Sequence, residues 1–363
     1  MNTSVYSVIT ATGSYVPTKV IPNDHFLAYK FFESKGAPID KPNAEIVDKF
    51  RKITGIRERR YVEDEYVTSD ISYFAAKDAV ESSGIDPETL DYIIVAHNFG
   101  DINSETGVSS FVPSLASRVK KKLKIKNPYC VSFDLIFGCP GWLQGVIQAD
   151  FYIKTGHARR VMVIGAETLS RISDPHDRDS MIYSDGAGAV ILEAKESDEQ
   201  IGILSHTSRS DTLQHSHMLW MDKSYDPEFK ENKLFLKMHG HHLYKYALMT
   251  VPGLAKETLD KAGIPLTDVK KVFIHQANNK MDEEILKRLF AEFGIKDIHQ
   301  EQIENIMPMT ISWLGNSSVA TLPTLIDLLQ KGKLEPHKTH KDDIVVLTSV
   351  GAGMNINCVL YRY

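Results

Sequence analysis

The chain has 363 residues, of which 42% are hydrophobic and 25% are charged, and its net charge is −5. This length suffices for one large domain or two fused ones, and the charge gives no reason to expect a nucleic acid or an anionic membrane as a partner. Its three cysteines are too few for a disulfide framework and fit a reducing compartment. Residues 1–17 lack a signal-peptide pattern and no apolar run is long enough for a membrane span, so we expect a cytoplasmic protein.

The predicted elements form a duplicated series. After a short strand at residues 6–10, residues 76–96 (AKDAVESSGIDPETLDYIIVA) predict a helix that ends at a glycine, then a polar loop and an apolar strand. Residues 255–275 (AKETLDKAGIPLTDVKKVFIH) repeat this pattern without a gap, 179 residues later. The segments 137–166 and 314–349 form a second pair, each with a glycine-containing turn, an apolar-periodic helix and a β-branched strand.

The strands of both repeats are continuous apolar runs, which is typical of strands that are covered by helices on both faces. We therefore predict an α/β protein with two halves, residues 1–197 and 198–363, that pack as one layered unit. Residues 23–50 and 98–127 are interpreted as loop or helical segments inserted in the first half, and residues 206–235 as such a segment in the second. We call these inserted segments excursions.

Cys139 is the first candidate for chemistry. It lies in the turn Phe137-Gly138-Cys139-Pro140-Gly141, where two glycines permit a tight turn between a strand and a helix. A thiol at a helix N-terminus meets the positive end of the helix dipole, which predicts a lowered pKa and a reactive thiolate. The alternative is a buried, inert cysteine. We assign that packing role to Cys130 and Cys358, which lack such a turn.

His275 and Asn316 occupy the corresponding positions of the second half. His275 follows the apolar strand of the repeat, and Asn316 lies in the turn before the helix. Alone, each has an ordinary interpretation, as a hydrogen-bonded strand end or as a helix cap. Together with Cys139 they place a thiol, an imidazole and a carboxamide at equivalent ends of strands or helices in the two halves. Layered α/β folds have their functional sites at such ends.

The sequence contains two further candidate sites, a histidine cluster and a glycine-rich run. The histidines lack cysteine partners and the spacing of zinc sites, so we predict no metal; the cluster considered is His215, His217, His239, His241 and His242. The glycine-rich run at residues 351–353 is either a plain turn or a turn that presents a backbone N–H to an oxyanion.

Several motifs together resemble the β-ketoacyl-acyl-carrier-protein synthase III family of the thiolase superfamily. They are TGSYVP (12–17), TGIRERR (54–60), the Cys139 turn, DPHDR (174–178), YSDGAGA (183–189), HQAN (275–278), GNSS (315–318) and GAG (351–353). The resemblance spans nearly the whole chain and implies a thiolase-like duplicated fold, five-layered αβαβα with two mixed sheets. Plant-type polyketide synthases carry Pro-Gly-Gly where this chain has residues 276–278, and elongating synthases carry a second histidine where it has Asn316, so both rank lower.

The resemblance implies a decarboxylating Claisen condensation. An acyl thioester would acylate Cys139, and the backbone N–H groups of Cys139 and Ala352 would hold the oxyanion. His275 and Asn316 would stabilise the enolate of a malonyl- or β-ketoacyl-type thioester, giving a β-ketoacyl product in fatty acid or polyketide-like biosynthesis. No cofactor is expected beyond substrates that are carried on acyl carrier protein or CoA.

The resemblance also concerns the carrier. Family members hold the CoA adenine with a tryptophan and an arginine, where this chain has Lys49 and Ile53, although Arg178 and Asn278 match positions near the CoA or pantetheine. The family's basic residues that dock the acidic carrier protein are retained as Lys245, Lys280, Lys287 and Arg288. The alternative interpretation is that these charges only form a solvated helix face.

Extra residues before position 53 and around 101–127 suggest a specialised branch that serves secondary lipid or polyketide pathways. The family also implies a homodimer, paired through the strand at residues 129–136. Two other functions stay open: an acyltransferase that passes the Cys139 acyl group to an alcohol or amine, and a non-catalytic partner that binds carrier protein. The acyl chain length, the carrier of each substrate and the pathway are not fixed by the sequence.

Overall fold

The structure is a computed structural model that describes residues 3–363. The strands of the first half are β1 (Ser4–Tyr15), β2 (Lys19–Pro22), β3 (Glu58–Tyr61), β4 (Tyr92–Ala96), β5 (Asp101–Ile102), β6 (Ser109–Ser110), β7 (Val131–Leu135), β8 (Arg160–Thr168) and β9 (Asp185–Ser197). The strands of the second half are β10 (Gly202–Ser210), β11 (Leu219–Asp222), β12 (Phe235–Met238), β13 (Val269–Ile274), β14 (Ile344–Gly351) and β15 (Asn355–Arg362). The helices are α1 (Asn43–Thr54), α2 (Thr68–Ser83), α3 (Leu115–Lys122), α4 (Gly141–Lys154), α5 (Thr212–His215), α6 (Gly240–Ala262), α7 (Asn279–Glu292), α8 (Gln300–Ile306), α9 (Ile311–Leu314) and α10 (Thr321–Gln330).

Two mixed sheets repeat one topology. The first has the order β1-β9-β8-β4-β7 and the second has the order β10-β15-β14-β13. In each, the first two pairs are antiparallel, and the third, β8 with β4 or β14 with β13, is parallel. Strand β7 adds a parallel edge to the first sheet. The duplication that the sequence predicted is therefore present in the strand order as well as in the helix–loop–strand repeats.

Helices cover both sheets and fill the space between them. α2 packs on β1, β9 and β8, and α3 packs on β7. α6 packs on β10, β14 and β15, with α7 against it. Between the sheets lie α4, which contacts strands of both, and α10, which contacts β1, β9 and β13. The predicted five-layered αβαβα fold with two mixed sheets is confirmed.

The halves share one core. The cluster around α4 and α10 joins Leu143 and Val163 of the first half to Phe273, Leu325 and Val345 of the second, all of them buried. β9 ends at Ser197 and β10 begins at Gly202. The division into domains 1–197 and 198–363 stays a prediction, because this packing crosses it.

The excursions build walls around the site. Residues 23–54 contain a short 3-10 helix and α1, and residues 98–127 contain β5, β6 and α3. The third excursion starts later than predicted, because β10 continues to Ser210 in its pairing with β15. It contains the hairpin of β11 and β12. Lys237 of β12 anchors this hairpin through buried contacts of its ammonium group. The fully buried Lys237 ammonium lies 2.5 Å from Asp174 and 3.4 Å from both Asp177 and the Tyr225 ring centre.

Within residues 3–363, no helix is both long enough and apolar enough to cross a membrane.

Candidate active site

Cys139 lies where a strand turns into a helix. β7 ends at Leu135 and α4 begins at Gly141, so the thiol is placed at the N-terminal end of α4. The preceding Gly138 has a φ of +68°, and a Cβ there would come within 2.6 Å of the Ala352 nitrogen. Only glycine fits this turn, because its left-handed backbone and the contact with the second half both exclude a side chain.

The turn before α10 supplies the partner of the thiol. The Ser318 hydroxyl donates to Cys139 Sγ at 3.2 Å, and the Ser318 N–H donates to Asn316 Oδ1 at 2.8 Å. The Asn316 backbone is fixed on both sides, by Ile182 O at 3.0 Å and by the N–H of Ser184 at 2.8 Å. Since Oδ1 is engaged, the Asn316 amide offers its NH₂ group to a ligand.

His275 follows β13 directly and is 3% exposed. The backbone N–H of His275 donates to Thr348 O at 2.9 Å. The side-chain oxygen of the next residue, Gln276, accepts from the backbone N–H groups of Thr310 and Ile311 at 2.8 and 2.9 Å. Burial lowers the pKa of His275 to about 4. The imidazole is therefore neutral at physiological pH and can act as a hydrogen-bond donor without carrying a full charge.

The protonation of Cys139 differs from the sequence prediction. Burial raises the pKa of the Cys139 thiol to about 11, although the Ser318 hydroxyl and its own backbone N–H act in the opposite direction. The predicted lowering of the pKa was wrong, because desolvation of the thiolate outweighs the two hydrogen bonds that favour it. The resting group is a thiol.

The glycine-rich run at residues 351–353 lies against the Cys139 turn. A Cβ at Gly351 would come within 2.4 Å of the Cys139 nitrogen. On the other side, Asn355 Nδ2 donates to Ala352 O at 2.9 Å. The backbones of Cys139 and Ala352 thus meet with no room for a side chain between them, which is the arrangement that two oxyanion donors require.

One large cavity connects these groups. It has a volume of about 1390 Å³, and Cys139, His275, Asn316 and Ala352 all line it. Phe32, Ile39, Ile46 and Phe50 of the first excursion add an apolar wall, and the β11–β12 hairpin adds Leu219, Leu236 and Met238. A thiol, two neutral side-chain donors and two backbone N–H groups therefore converge on a largely apolar space, which suits acyl-thioester chemistry.

The comparisons with known proteins agree with this geometry. Family models for 3-oxoacyl-[acyl-carrier-protein] synthase III match residues 133–212 and, for its C-terminal part, residues 259–363. The β-ketoacyl-[acyl-carrier-protein] synthase III of Xanthomonas campestris is 32% identical over 372 aligned residues that cover 100% of both chains. The chain belongs to the synthase III family.

A second relative and a solved structure extend the match. The synthase III of Erythrobacter litoralis is 33% identical, with 99% of this chain and 100% of that protein covered. The crystal structure of the Aquifex aeolicus synthase III superposes with a TM-score of 0.78 at 28% identity, covering 98% of this chain and 100% of that one. The predicted family, its thiolase-like fold and its condensing acyltransferase class are confirmed.

The residues predicted to meet a carrier lie on the outside of this synthase III fold. Lys245 is on α6, and Lys280, Lys287 and Arg288 are on α7, the helix packed against it; all four side chains are exposed. Arg288 is engaged with Glu284 at 2.9 Å. Their docking role stays a prediction.

The residues assigned to the CoA or pantetheine vicinity lie at the cavity. Arg178 is exposed and lies 3.4 Å from Glu33. Asn278 caps α7 by accepting from the N–H of Met281 at 3.2 Å. Lys49 and Ile53 also line the cavity as exposed side chains. The cap explains Asn278 structurally, and Arg178 pairs with Glu33 at the surface; the carrier contacts of both residues stay predictions.

The histidine cluster does not come together as a metal site. Residues 3–363 contain no group of three or more potential metal ligands at suitable distances. His239, His241 and His242 line the cavity, whereas the His215 ring packs 5.2 Å from the Tyr246 ring.

Sequence reasoning missed three residues of the site. Ser318, which contacts the thiol, lies 179 residues after Cys139, the same offset as the first repeat pair, so the duplication itself could have identified it. The half-buried Asn98 and the buried Glu167 form a hydrogen-bonded pair beside the Cys139 turn, and no local motif indicates it.

Proposed function

We propose that this synthase III condenses a Cys139-bound acyl group with the enolate of a malonyl- or β-ketoacyl-type thioester. The observation that carries the proposal is the convergence of Cys139, His275 and Asn316 on one cavity, next to the paired backbones of Cys139 and Ala352.

In the first half-reaction, the Cys139 sulfur attacks the carbonyl carbon of an acyl thioester. The carbonyl oxygen becomes an oxyanion, which the N–H groups of Cys139 and Ala352 stabilise. Collapse forms the Cys139 thioester and expels the carrier thiolate, which takes up the proton that the Cys139 thiol has lost. Because the resting thiol is protonated, its ionisation is part of this step.

In the second half-reaction, a malonyl-type thioester loses CO₂, and the electron pair of the broken C–C bond moves into an enolate. A β-ketoacyl-type thioester has no carboxylate to lose and would form its enolate by giving its acidic α-proton to water. The neutral imidazole of His275 and the NH₂ group of Asn316 donate to the thioester oxygen where the negative charge develops. The carbanion then attacks the Cys139 acyl carbon, forming the new C–C bond and releasing Cys139. The lowered pKa of His275 supports this role, because a neutral donor can return to its starting state without a net proton transfer.

The carrier of at least one substrate is proposed to be an acyl carrier protein. Lys280, Lys287 and Arg288 present positive charge from α7, whose N-terminus lies beside the cavity at Asn278. Such surface charges increase association with an acidic partner more than they add to final affinity. Lys49 and Ile53, at the places where relatives hold the adenine of CoA, support the same preference.

The acyl chain is proposed to be long or bulky. At about 1390 Å³, the cavity exceeds the range of roughly 300–1,000 Å³ that is typical of small-molecule sites, and this volume includes the entrance at Lys49, Ile53 and Arg178 as well as the space for an acyl chain. Ile46 is buried and Phe50 half-buried in its apolar wall. Since each methylene transferred from water to such a wall contributes about 0.8 kcal/mol, longer chains gain affinity until the wall ends.

The active form is proposed to be a homodimer joined along β7. That strand is the edge of the first sheet, and Val131 is 46% exposed. The flanking Tyr129 and Ile136 are 84% and 62% exposed. An apolar edge of this kind is a liability unless another strand covers it. Light scattering at micromolar concentration should give twice the mass of one chain, and a monomer would contradict the proposal.

The test of the whole reaction is intact-mass analysis with a panel of acyl-CoA and acyl-carrier thioesters. The wild type should gain one acyl mass, and Cys139→Ala should gain none while keeping its fold. Cys130→Ala is the matched control, because Cys130 is buried away from the cavity lining, and it should acylate as the wild type does. Addition of malonyl carrier protein should then release CO₂. Acylation without CO₂ release would favour simple acyl transfer to an alcohol or amine instead.

A further inference from the structure

Asn98 links a buried carboxyl group to the Cys139 turn. It lies two residues after β4, at the end of the strand between β7 and β8. Its Nδ2 donates to Glu167 Oε1 at 2.6 Å, and its backbone N–H donates to the same oxygen at 2.9 Å. Its Oδ1 accepts from the N–H of Gly138 at 2.9 Å. Asn98 thus binds the Glu167 carboxyl group through its side-chain and backbone nitrogens. It binds Gly138, the residue before Cys139, through its side-chain oxygen.

The carboxyl itself is enclosed. Glu167, near the end of β8, is 1% exposed, and burial raises its pKa to about 8. Asp185 of β9 raises that pKa further, while the two Asn98 donors lower it. The charge of Glu167 also acts on Cys139, where it raises the pKa of the thiol. The mechanism above uses neither Asn98 nor Glu167, although both lie beside the nucleophile.

We propose that Asn98 and Glu167 are a positioning pair, in which Asn98 fixes the Gly138–Cys139 turn and the charge of Glu167 controls how readily the Cys139 thiol ionises. This inference rests on the proposed role of Cys139 as the nucleophile. The carboxyl keeps the Asn98 amide in the one orientation that points its oxygen at the Gly138 N–H. Without that anchor the turn loses the hydrogen bond that fixes Gly138, the residue before Cys139.

The charge effect follows from the location of the pair. A protonated Glu167 removes the negative charge that raises the pKa of the Cys139 thiol. An ionised Glu167 adds a like charge in a poorly solvated space and disfavours the thiolate. Asp185 is the other carboxyl that faces Glu167, and Arg171 partly offsets its charge.

Alkylation of Cys139 by iodoacetamide tests the pair without any thioester substrate. Rates would be followed by intact mass between pH 6 and 10. In the wild type, the plot of alkylation rate against pH should not fit a single ionisation. It should show an inflection near pH 8, where Glu167 titrates. Glu167→Gln keeps the acceptor for Asn98 but removes the charge, so its profile should lose that inflection and give roughly three- to tenfold higher rates above pH 8. A merely structural loss would change the rate by the same factor at every pH.

Asn98→Ala tests the positioning. It removes the hydrogen bond to Gly138, and we expect acyl transfer from a thioester to slow about fivefold or more, in line with one lost buried hydrogen bond. Thr258→Val is the matched control. It removes a buried hydroxyl that donates to Leu254 O at 2.8 Å on α6, away from the cavity lining, and it should alter neither measurement.

Three results would overturn the inference. They are a wild-type alkylation profile with a single ionisation, a Glu167→Gln profile that coincides with the wild type, and an Asn98→Ala rate equal to the wild-type rate. The wild-type profile decides the charge effect even if Glu167→Gln does not fold. Failure of the proposed function is a separate outcome, since it would leave the wild type unable to accept an acyl group while the alkylation profiles still differed.

Discussion

The buried imidazole of His275 makes the stability of the protein depend on pH in a defined way. Within residues 3–363, no group forms a hydrogen bond with His275 Nδ1, and the pKa of the ring is lowered to about 4 by burial. In the unfolded chain its pKa returns to about 6.5. Between these values the unfolded chain binds a proton that the folded protein does not bind. The free energy of unfolding therefore falls as the pH decreases from about 6.5 to about 4.

The size of the effect follows from the two pKa values. Their separation corresponds to about 3.4 kcal/mol when the titration is complete, at about 1.36 kcal/mol for each pH unit. At pH 4.5 about 2.5 kcal/mol of this should be lost relative to pH 7.5. That is a large share of the roughly 5–15 kcal/mol that stabilises a typical domain.

The assay compares the wild type with His275→Gln, which keeps a side chain of similar size that cannot take up a proton. Unfolding by urea would be measured at pH 4.5, 5.5, 6.5 and 7.5 at one fixed protein concentration, because association also contributes to stability. Other titrating groups are common to both proteins and cancel in the difference. The wild type should lose about 2.5 kcal/mol more than the variant between pH 7.5 and 4.5. A difference that stays constant across this range would show that the pKa of His275 is the same in the folded and the unfolded chain, and the lowering by burial would be refuted.

Three further predictions concern the reaction. Gly138→Ala should lower acyl transfer to Cys139 by about 100-fold or more, measured by intact mass, because the new Cβ would collide with the Ala352 nitrogen and separate the two oxyanion donors. Asn316→Ala should lower CO₂ release by about 100-fold but self-acylation by less than about tenfold, since its amide acts where enolate charge develops; equal losses in both assays would refute that division. Reversing Lys280 and Arg288 to Glu should raise the KM for carrier-bound substrate about fivefold at low salt and leave small thioester mimics nearly unaffected.

The charge reversal needs a control of equal charge. Lys333 and Lys338 are exposed, and neither lines the cavity, so their reversal to Glu changes the net charge by the same amount elsewhere. If both double variants alter carrier-dependent turnover alike, the effect comes from the overall charge. Lys280 and Arg288 would then be solvent-exposed residues of α7 without a docking role.

The fold could be predicted from the sequence because its main signals are local and repeated. The glycines that end α2 and α6, at positions 84 and 263, both adopt the left-handed conformation, as helix C-caps do. The apolar runs of β8 and β14 are buried along nearly their whole length. Both patterns need only neighbouring residues to be recognised, and the repeat doubled the signal.

The features that escaped prediction are long-range. Lys237 reads as an exposed charge in a polar segment, yet it is fully buried because two aspartates distant in sequence receive it. The pKa of Cys139 depends on how deeply the turn is enclosed, which the residues around it do not encode. Glu167 and Asn98 are 69 positions apart, and their pairing exists only because β4 and β8 are neighbours.

The shared core between the two sheets has a consequence for how such a protein can arise. A half that ended at Ser197 would leave the faces of β1 and β9 on which α10 packs without cover, and one that began at Gly202 would expose Leu325 and Ile326 of α10. An unfused ancestor could bury these faces only by pairing with a second copy, which would have carried two equivalent turns. Fusion into one chain removed that equivalence. Each turn could then change alone, and one now carries a thiol while the other carries a hydroxyl and a carboxamide.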